Sequence, residues 1–261
     1  HLKDQQTTLY NEMIGHMKET DEDVPYIRKH FQYYSRNVKG LAYKIHCRKA
    51  LNEKGQPEGA EEVVLDENEV AKGHEQSVVA CVEMSPCHNY AAYAVDHSGY
   101  ETYAIKILNV ATREYLPDCI EDTDGTIEWG PNGSIFYLKQ DDAHRPHELW
   151  IHSVSSLCAN KDLVQEDVLL KREDDALFWM GISKTQDDQY LVCGTDSSET
   201  SEQHLLDLKH FPETLAQVPA AFVTVSKREF GVRYDVEHHE GKLLIITNKD
   251  KAKSNKLCVA H

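Results

Sequence analysis

The sequence predicts an all-β fold, a β-propeller of which about four to five blades are present, preceded by one short N-terminal helix. Two observations carry this reading. A unit of polar turn, apolar strand, looser polar loop and second strand is spelled out four times, and its strand-entry residues Tyr90, Ile135, Tyr190 and Leu243 lie 45, 55 and 53 residues apart. Strand-only repeats of about 40 to 50 residues are the mark of propeller blades. Beyond residue 60, moreover, no convincing helical period exceeds about ten residues, while runs such as Leu243-Leu244-Ile245-Ile246 are apolar on both faces. Strands of that kind must be covered on both sides, as they are when blades stack face to face.

The elements follow in order. Leu9, Met13 and Met17 recur at spacing four, with Tyr10 and Ile14 on the adjacent row, which predicts an amphipathic helix from Leu2 to about Lys18. Asp21-Glu22-Asp23 and Pro25 end it, because the residue before proline is disfavoured in helical geometry. Tyr26 to Ser35 and Leu41 to Arg48 then read as two strands joined by a short loop containing Gly40. Ala50 to Gly59 reads as a loop and Glu61 to Leu65 as a short strand. Further units are expected at about 78 to 118, 125 to 172 and 178 to 218, with an incomplete one from Ala221; within them, Asp162 to Arg172 reads equally as helix or as strand. The domain division expected is residues 1–22, a helix, and 23–261, an incomplete propeller. About seven such units would be needed for a large ring. The absence of an initiator Met and a last strand that breaks off at His261 suggest a piece of a longer protein.

Composition narrows the function. Forty-four acidic residues against 28 Lys and Arg give a formal charge of −16, which repels a phosphate backbone and disfavours nucleic acid as a partner. No apolar run approaches the roughly 20 residues of a membrane helix. The cysteines (Cys47, Cys81, Cys87, Cys119, Cys158, Cys193, Cys258) number seven, an odd count without CxxC pairs, as expected of free thiols in a reducing, cytoplasmic setting.

Motifs of chemistry are few. No G-x-S-x-G elbow occurs, so no catalytic residue is expected in this chain. His144-x-x-His147 and His238-His239 lie in polar loops without a Cys cluster and read as solvated histidines, so no metal is expected. The 13 glycines are dispersed at turns and form no phosphate cradle, and no cofactor is expected. Asn132-Gly133-Ser134 is a formal glycosylation sequon in a tight turn. Glu61-Glu62, Asp66-Glu67 and Glu173-Asp174-Asp175 read as solvated turns, with electrostatic capture of basic peptides as the alternative.

Four segments in order carry a family resemblance. They are Asp23-Val24-Pro25-Tyr26-Ile27-Arg28 after the helix; Tyr33-Tyr34-Ser35-Arg36 leading to Gly40-Leu41-Ala42-Tyr43; Met84-Ser85-Pro86 through Asp96-His97-Ser98-Gly99-Tyr100-Glu101-Thr102-Tyr103; and Ile127-Glu128-Trp129 through Phe136-Tyr137. On these the chain resembles the N-terminal part of the prolyl oligopeptidase family, in its oligopeptidase B branch and the trypanosomatid members most of all. The resemblance implies a seven-bladed propeller that filters substrates by size over a C-terminal α/β-hydrolase domain. That domain would bear Ser, Asp and His and cleave short basic peptides after Arg or Lys. The first helix would then belong to an N-terminal extension packed on the hydrolase domain, and this chain alone would be inert. By position in the family, Glu75 and Glu101 match sites of charged contact between the two domains. The alternative is a non-enzymatic propeller scaffold for protein partners. Scaffolds of the WD40 type repeat Trp-Asp and Gly-His pairs, which do not repeat here.

Overall fold

The computed structural model describes residues 2–157 and 166–260; Cys158 and the first part of the 162–172 stretch lie outside the described residues. The chain divides into two compact units, one of residues 1–77 with 110–112 and one of 78–109 with 113–261.

In the first unit, α1 (Leu2–Gly15) buries no residue, and Leu9, Tyr10 and Met13 remain exposed along it. It stops short of Lys18, in a tight turn where the amides of His16 and Met17 donate to the carbonyls of Met13 and Ile14. The first sheet is a meander of β1 (Tyr26–Arg28), β2 (Phe31–Arg36), β3 (Ile45–Leu51) and β4 (Pro57–Asp66). The stretch expected as one strand from Tyr26 to Ser35 is two, because Lys29 takes φ of 53° and folds a two-residue turn between Arg28 and Phe31. The loop expected over Ala50 to Gly59 shrinks to a tight turn, with Asn52 Oδ1 accepting from the amides of Lys54 and Gln56. Asp66 caps the one-turn helix α2 (Glu67–Val70) by accepting from the Asn68 amide.

The second unit holds four sheets, each an antiparallel meander. They are β5 (Val78–Met84), β6 (Tyr90–Asp96), β7 (Tyr103–Asn109) and β8 (Tyr115–Thr123); β9 (Ile127–Trp129), β10 (Ser134–Gln140), β11 (Pro146–Ser153) and β12 (Val168–Arg172); β13 (Trp179–Lys184), β14 (Tyr190–Asp196), β15 (Ser201–Asp207) and β16 (Val223–Thr224); and β17 (Tyr234–His239), β18 (Lys242–Thr247) and β19 (Lys256–Ala260). With the first sheet these are blades 1 to 5. Blade 4 takes its fourth strand from Val223–Thr224, so the fifth unit begins at Tyr234 rather than at Ala221.

Period-2 alternation builds the core. Along β10, Ile135 and Tyr137 face blade 2 and join Ala92, Ala94, Ile105 and Ile107, whereas Phe136 and Leu138 face blade 4 and join Met180, Leu191 and Cys193. The run Leu243 to Ile246, expected to be covered on both faces, is covered on one: Ile246, Leu257 and Val259 are 52 %, 64 % and 52 % exposed. The turns before Tyr90 and Tyr190 share one device. Ser85 Oγ accepts from the Tyr90 amide at 3.1 Å, and Thr185 Oγ1 from the Tyr190 amide at 3.0 Å. His88 and Asp188 supply the left-handed residue of each turn, at φ of 61° and 57°.

Candidate functional site

In the second unit the loops between blades and the hairpins joining second to third strands emerge at one end. Asp124 N donates to Leu138 O, and Ser201 N donates to Val232 O, at 3.1 Å each. Gln140 Nε2 reaches Glu101 O across neighbouring hairpins at 2.9 Å. We call this the crossover end.

Two arginines bolt these loops. Arg145, buried, donates through Nη1 to the carbonyls of Glu173, Asp175 and Phe178 at 3.2, 3.2 and 2.9 Å, and through Nε to Asp141 at 3.0 Å. Arg228 lies 3.7 Å above the Phe178 ring, pairs with Glu173 and donates to Thr195 Oγ1 at 2.7 Å. The run Glu173-Asp174-Asp175 is therefore not merely a solvated turn: Glu173 is buried, and Arg228 neutralises it. On this anchored frame Leu177, Trp179 and Phe230 project outward at 75 %, 54 % and 86 % exposure.

Asp96 organises the hairpin that carries Glu101. Its Oδ1 accepts from the Ser98 amide and hydroxyl at 2.6 Å each, and its Oδ2 from the Glu101 amide at 3.0 Å. Burial opposes the charge, but the Ser98 bonds, followed by the Glu101 and Gly99 amides, outweigh it and hold the carboxyl below its ordinary range. Glu101 is left at φ of 55° with its side chain exposed. Glu75, in the first unit, is exposed in the loop after α2. Further along the same end, burial and then the neighbouring Asp235 charge push the Asp196 carboxyl up.

Several loop groups differ from the sequence expectation. His238 is buried, and its Nδ1 meets Asp187 Oδ2 at 2.5 Å, while Gln186 N donates to Glu237 at 3.0 Å; these bonds tie blade 5 to a blade 4 turn. Glu61 is also not free, since Arg36 and then the Tyr34 hydroxyl hold its carboxyl below the ordinary range. Glu62 pairs with Arg48. Periodicity could not reveal these pairs, because the partners lie 14 to 55 residues apart. Among the described residues no group of three or more His, Cys, Asp or Glu is gathered for a metal.

The comparisons with known proteins agree with this architecture. The model of the prolyl oligopeptidase N-terminal β-propeller domain matches residues 1–261. The chain belongs to this family. Among curated relatives of this propeller domain, Protease 2 of Moraxella lacunata is 34 % identical over 95 % of the chain and 35 % of its own length. Dipeptidyl aminopeptidase BI of Pseudoxanthomonas mexicana is 30 % identical over 99 % of the chain and 36 % of its own length. Oligopeptidase B of Leishmania major superposes with a TM-score of 0.86 at 36 % identity, over 97 % of this chain and 34 % of that one. Oligopeptidase B of Trypanosoma brucei gives 0.84 at 39 % identity, over 99 % of this chain and 35 % of that one. The prolyl oligopeptidase propeller chain thus spans about a third of the length of these relatives.

Proposed function

We propose that the chain is the propeller portion of an oligopeptidase B-like serine peptidase that hydrolyses short peptides after Arg or Lys, the propeller gating access to a C-terminal α/β-hydrolase domain of the same protein. Family membership and relatives with peptidase names support the peptidase reading. The observation that carries the docking part is the crossover end, where Leu177 and Phe230 on loops and Trp179 at the start of β13 stand exposed on a frame fixed by Arg145 and Arg228. A partner domain would bury that apolar surface.

In this reading residues 1–22 form an extension whose exposed Leu9, Tyr10 and Met13 pack on the hydrolase domain, residues 23–261 are the propeller, and Glu75 and Glu101 make charged contacts across to it. The protein is placed in the cytoplasm, which suits the six free cysteines described. Among the described residues no helix is long and apolar enough to cross a membrane.

The test is made on the full-length enzyme with fluorogenic peptides ending in Arg, Lys or a neutral residue, and with a folded protein substrate. Phe230→Asp with Leu177→Asp is expected to lower peptidase activity or relax the size limit, and Glu75→Ala or Glu101→Ala to change kinetics or small-angle scattering. Unchanged kinetics and scattering in all of them would remove the docking assignment. Equal cleavage after neutral residues would remove the specificity.

A further inference from the structure

His152 of β11 sits with both ring nitrogens against carboxylates. Its Nδ1 lies 2.7 Å from Asp167 Oδ1, just ahead of β12, and its Nε2 lies 3.3 Å from Asp118 Oδ1 on β8 of blade 2. A neutral imidazole has one N–H and can donate to only one of two acceptors; an imidazolium donates to both. Each carboxylate has one further anchor. Tyr137 OH of β10 donates to Asp167 Oδ2 at 2.7 Å, and the Ser155 amide and hydroxyl donate to Asp118 at 2.9 and 3.0 Å. Asp118 is 6 % exposed, so water replaces a lost donor poorly.

We propose that His152 is a proton-operated clasp between blades 2 and 3: as an imidazolium it ties Asp118 to Asp167, and on giving its proton to solvent it releases Asp118. The shorter bond decides which contact survives. The neutral ring keeps its proton on Nδ1 against Asp167 and turns the Nε2 lone pair toward the Asp118 oxygens. Among the described residues, the charged and titratable groups facing this site are Asp118 from β8, Asp167 ahead of β12, and Tyr137 and Lys139 from β10, the last two acting on Asp167. Burial disfavours the ring's charge, but the Asp167 and then the Asp118 contacts outweigh it and raise the imidazole above its ordinary value. A group raised in the folded state contributes stability below its unfolded value and loses it as pH rises through the folded one. The clasp is therefore closed in mild acid and opens toward alkaline pH.

The experiment uses the full-length protein. Mass-spectrometric hydrogen exchange at the imidazole C2 position, with His152 resolved from His147 by fragmentation, reads the titration directly. Amide exchange corrected for intrinsic base catalysis reads opening of β8 and β11. His152 is expected to titrate above an ordinary imidazole, and β8 protection to fall several-fold across that titration. Asp118→Asn should move the midpoint down and make β8 protection independent of pH. A wild-type midpoint at or below the ordinary imidazole value, β8 protection that stays constant across the titration, or an unmoved midpoint in Asp118→Asn overturns the proposal. Should that variant fail to fold, the wild-type midpoint still decides.

Discussion

Arg145 satisfies three carbonyls of the blade 3 to blade 4 crossover from one guanidinium nitrogen, and no smaller side chain can replace those bonds. Arg145→Ala leaves the carbonyls of Glu173, Asp175 and Phe178 without their donor and is expected to cost about 1 to 3 kcal/mol, read as a lowered thermal transition. Gly130 is equally constrained, by space. A Cβ there would meet Ser134 Oγ at 2.3 Å and the Phe136 ring at 2.6 Å, so Gly130→Ala should destabilise by roughly 1 to 3 kcal/mol in the same measurement. Asp96 sets a pH dependence of the opposite sign to that of His152. Its carboxyl is depressed in the fold, so its stabilisation is present above the ordinary carboxylate range and lost as pH falls through the depressed value. Asp96→Asn is expected to be less stable at neutral pH and to lose less on acidification, as followed by thermal melts at several pH values. Thiol chemistry divides in the same way. Burial pushes Cys193 up to about 12, and burial followed by the Glu121 charge also raises the exposed Cys119, so the exposed Cys87 should take a thiol reagent first in a labelling time course.

At the scale of the element, turns and alternation were legible because they are local. Ser85-Pro86-Cys87-His88-Asn89 announces a turn before Tyr90, and the spacing of Tyr90, Ile135 and Tyr190 announces successive blades, whereas the run Leu243 to Ile246, read as covered on both faces, is covered on one. Ends were less legible: nothing in Tyr26 to Ser35 marks Lys29 as left-handed, and Val223–Thr224 is too short to read as a strand before its partner Leu205 is in place. The candidate site was legible only in outline. Glu75 and Glu101 were named only by their position in the family resemblance, and Arg145, Arg228 and the carboxylates around His152 acquire meaning through partners remote in sequence. Blade 5 has the further property that Ile246, Leu257 and Val259 form an apolar face on a three-stranded sheet. The isolated chain is expected to self-associate through it, and Leu257→Lys to reduce the apparent mass in light scattering; a monomer at every concentration would contradict this.

For the whole molecule, the proposed gating function makes a simple prediction: this chain alone should not cleave an Arg-ending fluorogenic peptide, whereas the full-length protein should. One blade junction contains its own reporter. Trp129 is 2 % exposed, and its indole donates to Glu83 O at 3.0 Å, so it joins β9 of blade 3 to β5 of blade 2. Trp179, more than half exposed, lies at the start of blade 4. In a Trp150→Phe variant of this chain, acrylamide should therefore quench the red-emitting Trp179 at once and leave a blue-shifted Trp129 signal untouched until blades 2 and 3 part. The indole that cements the seam thus also serves as an optical gauge of its opening.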